Sequence, residues 1–128
     1  RVQFDGVRHD CPPNQFRVGL GAIRIRARKE LATAVYPWGA SGRAQAIGRT
    51  EGLTKWTVDP TTGRLCGCGI VGPGAGDLIS EAAVAIQNGL GVEDLAGVIH
   101  PHPTLSETLA GAADIYLGRA VEARNSPR

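Results

Sequence analysis

The sequence has no methionine, three cysteines and 5% aromatic residues, and nowhere does it run through 18 apolar side chains without interruption. Each scarcity excludes something. A bilayer core demands an apolar run of about that length, so no membrane-spanning helix is encoded, and the first 20 residues lack the apolar stretch of a secretory signal. An odd cysteine count without framework spacing speaks against a disulfide-stapled secreted scaffold and for a reducing, cytoplasmic setting. Cys66 and Cys68 stand one residue apart in an expected strand, where they face one side as small buried hydrophobes. No second pair completes four ligands, so no metal site is expected. A chain without methionine that begins at Arg1 is expected to be a processed piece or a fragment of something longer.

What is present describes one domain. The 128 residues are 42% hydrophobic and 20% charged, enough for a single core and too few for an enzyme built of several domains. Eighteen glycines imply many turns or close backbone approaches. Residues 1–30 carry seven basic and three acidic side chains, whereas residues 31–128 carry seven and nine. The basic character belongs to one end, and the rest offers no basic stripe with aromatic readers, so no nucleic-acid partner is expected.

Periodicity divides the chain. Residues 1–21 show no sustained period and are broken by Pro12-Pro13-Asn14, which predicts an irregular or degenerate N-terminal segment. From 22 to 28, Ala22, Arg24, Arg26 and Arg28 alternate with Ile23, Ile25 and Ala27, the pattern of a half-buried strand whose wet face carries the arginines. An apolar stretch through Tyr36 is followed by turn chemistry from Gly39 to Gly42. Residues 53–58 and 65–71 read as a hairpin around Asp59-Pro60-Thr61-Thr62-Gly63. From residue 77 the period becomes 3.6, with Leu78, Ala82, Ala85 and Ile86 in one stripe ending at Asn88-Gly89. A short helix over 92–98 and a third from Thr104 to about Leu117, stopped by Gly118, complete the reading. Strands followed by helices predict an α+β domain over 22–118, an antiparallel β-sheet with helices packed against it, and a tail over 119–128.

Two segments invite chemistry. Gly72-Pro73-Gly74-Ala75-Gly76 lies between a strand and a helix, where phosphate loops occur, but it lacks the Gly-x-Gly-x-x-Gly spacing and no Lys-Ser or Lys-Thr follows. A tight strand-to-helix connection accounts for it, so no cofactor-binding residue is assigned there. Gly19-Leu20-Gly21 fails too, with Arg24 where a third glycine belongs. In His100-Pro101-His102-Pro103-Thr104-Leu105-Ser106-Glu107, prolines hold the chain extended and Thr104 with Glu107 fits a capping box. The same carboxylate could accept the proton of one His102 nitrogen and leave the other as a base. Zinc at His100 and His102 is disfavoured because alternate positions in an extended segment face apart.

Residues 70–79, Glu81-Ala82-Ala83 and the segment from His100 to Glu107 together resemble the C-terminal interface domain of the pyridine nucleotide-disulfide oxidoreductases, the dihydrolipoamide dehydrogenase family foremost, over about residues 23–117. The resemblance implies an interface-domain fold, homodimerisation, and His102 as catalytic histidine with Glu107 as its carboxylate partner, acting in the other subunit's active site beside a redox disulfide and flavin. It implies FAD and NAD(P) for a full-length parent and none bound by this chain alone. NAD-linked dithiol oxidation and a lipoyl-bearing protein partner follow from the same source. The sequence also departs from the family: the C-x4-C redox pair and both dinucleotide fingerprints are missing, so the chain is expected to be inactive alone. Residues 1–22 leave little room for the opening strand and helix. A mercuric reductase-like parent and a stand-alone dimerisation or regulatory module remain alternatives.

Overall fold

The computed structural model describes the backbone of residues 22–24 and the whole of residues 31–124. Four strands, β1 (Ala22–Arg24), β2 (Ala32–Pro37), β3 (Leu53–Val58) and β4 (Leu65–Val71), form one antiparallel sheet in the order β1-β4-β3-β2. The expected strand over 22–28 is seen as β1, and its remainder, like Cys11 and the N-terminal segment, lies outside the described residues. Four helices follow the strands or interrupt them: α1 (Gly42–Ala46), α2 (Ala75–Gln87), α3 (Val92–Ala96) and α4 (Glu107–Leu117). The α+β architecture expected from the order of periods is the one observed.

Alternation along the strands sets the core. Ala34 pairs with Trp56 and Trp56 with Cys68, while Tyr36 pairs with Thr54 and Thr54 with Ile70, and all six side chains are buried on one face. Helix α4 covers β2 and β3, α2 covers β4 and β1, and α3 lies against α4. Alanines at 82, 85, 112 and 113 let the helices approach the sheet closely. Both long helices end alike. Gly89 (φ 66) and Gly118 (φ 73) turn the chain left-handed, and the next residues, Leu90 and Arg119, donate back to the carbonyls of Ala85 and Asp114.

Two sequence expectations need correction. The turn foreseen at Gly39–Gly42 is a single 3-10 turn, Trp38–Ala40, followed by α1, whose first turn is capped by the Ser41 hydroxyl accepting from Ala44 N at 3.3 Å. The glycines masked the cap signal. The last helix begins at Glu107, three residues after Thr104, because the Thr104 hydroxyl bonds the Pro101 carbonyl and leaves the first helical turn uncapped by it.

Trp38 explains the glycine-rich connection. Its fully buried indole lies in a slot between Gly52 and Gly72, and a Cβ on either glycine would come within 2.4 Å of the ring. Gly72 also sits at φ 142, and Gly74 (φ 73) begins α2 by accepting from Asp77 N and Leu78 N. Replacing Gly74 by Ala, where nothing crowds a new methyl, should cost about 1 kcal/mol from backbone strain. Gly72→Ala adds a collision with Trp38 and should cost about 3 kcal/mol. Urea unfolding of the two variants measures the difference, and equal losses would remove the slot as the reason for Gly72.

Candidate functional site

The segment between α3 and α4 carries two imidazoles that point apart. His100 is turned inward, its side chain 6% exposed, with Nε2 at 2.7 Å from Glu81 Oε1 on α2 and Nδ1 at 3.2 Å from the Val98 carbonyl. Both partners accept, so the ring donates to either one, and to both at once when doubly protonated. His102 is turned outward, its side chain 73% exposed, with Nδ1 at 2.8 Å from Glu107 Oε1. A peptide bond in the cis form joins His102 to Pro103. With the two rings pointing apart, no zinc site forms between them, and no group of three or more His, Cys, Asp or Glu side chains that could hold a metal ion occurs among the described residues.

Glu107 uses both oxygens. Oε1 faces His102 and Oε2 accepts from Thr104 N at 2.7 Å, so the carboxylate half of the expected capping box is made while the hydroxyl half is not. Burial opposes the charge on Glu107, but the Thr104 amide, the His102 ring and the His100 charge together hold its carboxyl below the usual range. An ionised Glu107 is a pure acceptor, so Nδ1 of His102 carries the proton and Nε2 is the basic nitrogen.

The first turn of α4 is fixed from beneath. Trp38 Nε1 donates to Thr54 Oγ1 at 3.0 Å, and Thr54 Oγ1 lies 2.7 Å from Thr108 Oγ1, which donates to the Leu105 carbonyl at 2.7 Å. Each hydroxyl has one proton, so Thr54 must donate to Thr108. Trp56 Nε1 donates to the Leu109 carbonyl at 2.9 Å. Beside this turn a groove of about 330 Å³ is lined by Tyr36, His100, Glu107, Asp114 and Glu122 among others. Tyr36 donates to Glu122 at 2.8 Å, and burial with that contact raises its phenol far above the usual value.

Cys66 and Cys68 are buried in β4, as expected, rather than near the histidines. Burial, and secondarily the Glu81 carboxylate, push the Cys68 thiol up to about 12. The sequence reading gave Glu81, Tyr36 and Glu122 no chemical role. A signal existed for Glu81 alone, a carboxylate beside the apolar stripe of Ile79 and Ala82 on α2.

Two outcomes follow from these environments. Iodoacetamide should leave Cys68 unmodified in the native protein and alkylate it in denaturant, read by peptide mass; native labelling would contradict its burial. Because the Glu107 value is lower folded than unfolded, its stability contribution exists above the unfolded value and is lost as pH falls. The thermal midpoint should therefore drop below about pH 4.5, the ordinary glutamate value, and Glu107→Gln should flatten that drop. Equal slopes in the two proteins would remove Glu107 as a contributor.

The family description "Pyridine nucleotide-disulphide oxidoreductase, dimerisation domain" matches residues 11–113. Dihydrolipoyl dehydrogenase of Thermus scotoductus is 44% identical over 110 residues, 84% of this chain and 24% of that protein. Dihydrolipoyl dehydrogenase of Haemophilus influenzae is 43% identical over 93 residues, 73% of this chain and 20% of that protein. Among solved structures, LpdA of Mycobacterium tuberculosis superposes with a TM-score of 0.63 at 27% identity, covering 75% of this chain and 25% of that one. The copper(II) complex of the flavoprotein disulfide reductase RclA from Escherichia coli shares the fold, with a TM-score of 0.67 at 22% identity, over 73% of this chain and 23% of that one. The chain thus spans about a quarter or less of the length of these relatives. It belongs to the dimerisation-domain family of the pyridine nucleotide-disulfide oxidoreductases.

Proposed function

We propose that this chain is the interface domain of a dihydrolipoyl dehydrogenase-like flavoprotein and that His102, oriented by Glu107, is its acid–base residue in NAD-linked dithiol oxidation. The observation that carries the reading is the 2.8 Å bond from His102 Nδ1 to Glu107 Oε1 on a ring that is otherwise open to solvent. An oriented imidazole with a free Nε2 takes the proton from one substrate thiol. The resulting thiolate attacks a sulfur of the parent's redox disulfide; one S–S bond forms, the other breaks, and the leaving sulfur departs as a thiolate. The second substrate thiol then gives its proton to that released thiolate and displaces the first enzyme sulfur as a thiolate, which closes the substrate disulfide. The proton held on His102 is released or returned in the reverse direction.

Neither dinucleotide belongs to the residues described. Trp38 fills the space above Gly72 in the glycine-rich connection, which does not fit a pyrophosphate cradle. FAD, which passes electrons from the reduced dithiol towards nicotinamide, would be held by the parent's other domains. No step above runs through it. The domain, taken as residues 22–118, is proposed to join two subunits so that each His102 serves the opposite active site. A lipoyl-bearing protein is the proposed substrate carrier and a reducing cytoplasm the proposed compartment. A parent with the same dimer but another dithiol, as in a mercuric reductase-like enzyme, would use His102 in the same way.

The test is His102→Gln in the longer flavoprotein that carries this domain. Dithiol oxidation should slow by about 100-fold or more with the circular dichroism and flavin spectrum preserved. An unchanged rate removes the role of base from His102.

A further inference from the structure

Of the two histidines between α3 and α4, the buried one has no part in the chemistry above. Resting on the proposed function, we propose that Glu81 and His100 form a clamp that positions the His102 segment, so that helix α2 sets the reach of the acid–base residue from a distance.

The His102 ring is exposed and has Glu107 as its one hydrogen-bond partner among the described residues, so its place in space depends on how its backbone is held. That backbone has little slack. Proline follows both His100 and His102 and fixes φ at positions 101 and 103, and the chain bends at His102 and Pro103. With φ fixed at two of its four residues, the stretch has little freedom to absorb a displacement at His100. On the far side the segment is tied to α4 by Thr104 N bonding Glu107, and across itself by the Thr104 hydroxyl donating to the Pro101 carbonyl at 2.7 Å. On the near side, among the described residues, the one side-chain tie to another element is the 2.7 Å contact of His100 Nε2 with Glu81.

The two ties lead to different supports. Glu107 belongs to α4, which lies on β2 and β3, whereas Glu81 belongs to α2, which lies on β4 and β1. Fastening a two-ended segment to both helices removes the freedom to pivot that one anchor would leave. The site is costly to disturb because the His100 ring is almost fully enclosed and both its nitrogens have partners, so losing the carboxylate leaves a buried Nε2 unpaired. The ring also lines the groove that Glu107 lines, which places the clamp directly behind the dyad. Glu81 and His100 touch no reacting atom in this scheme. They are positioning residues.

The experiment uses the longer flavoprotein, with Glu81→Leu breaking the bond and Glu81→Gln keeping an amide oxygen that still accepts from Nε2–H. Glu81→Leu should lower kcat for dihydrolipoamide oxidation about tenfold with KM within about twofold, the signature of a misplaced base rather than lost binding. Glu81→Gln should stay within about threefold of the wild type in kcat, because the hydrogen bond is retained. Amide hydrogen exchange followed by mass spectrometry should quicken over residues 98–106 in Glu81→Leu and stay as in the wild type elsewhere in the domain. If Glu81→Leu does not fold, His100→Leu removes the same bond from its other end and His100→Gln restores a donor. Unchanged kcat and unchanged exchange in the disruptive variants would overturn the clamp, as would a loss as large in Glu81→Gln as in Glu81→Leu. His102→Gln run in parallel separates the two readings. If that variant keeps its rate, the acid–base proposal fails, and the exchange data still decide the clamp.

Discussion

The buried hydrogen-bond chain from Trp38 through Thr54 and Thr108 to the Leu105 carbonyl decides where the first turn of α4 sits. It crosses three elements in one direction, each hydroxyl accepting from one neighbour and donating to the next, so no member can turn without leaving a partner unpaired in the core. Glu107 immediately precedes Thr108. The carboxylate that faces His102 is thus carried next to a residue, Thr108, whose hydroxyl is fixed to the sheet. Trp56 adds a second tie one residue further along, to the Leu109 carbonyl. Tyr36 packs against Gly111 a turn later, where a Cβ would meet its ring at 2.6 Å. Sheet and helix are therefore registered by polar bonds and a steric slot together, and the exposed imidazole inherits that register through one side chain.

The polar groups at the site divide the work of folding and chemistry unevenly. Thr104, expected as a cap, instead closes the extended segment on itself, and Glu107 supplies both the backbone bond and the bond to the ring. Cys66 and Cys68, which in another setting would suggest redox chemistry, are buried in β4, and burial pushes the Cys68 thiol up to about 12. The two dehydrogenases and the two solved structures are each several times longer than the chain.

Much of this was legible in the sequence because the informative elements are periodic. The hairpin of β3 and β4 shows the alternation of β3 and a glycine-ended turn, and α2 and α4 carry 3.6-residue stripes stopped by Gly89 and Gly118. The dyad was legible too, as a spacing, since a carboxylate in the first helical turn is within reach of a ring five residues earlier. Helix α1 was missed because Gly39 and Gly42 imitate a loop, and its cap is a serine with no apolar run behind it. The Trp38 slot was invisible for another reason. It joins residues 38, 52 and 72, and no local pattern announces that two glycines from different connections flank one indole. Glu81 and His100, 19 positions apart, belong to the same class of long-range pairings.

Tryptophan placement has an optical consequence. The chain contains two tryptophans, both fully buried and both with indole N–H groups engaged at the foot of α4, one through Thr54 and the other at the Leu109 carbonyl. Its entire indole emission therefore arises from two buried rings that bridge the sheet and the start of α4. In this domain, fluorescence is a signal of the packing that carries the His102–Glu107 pair.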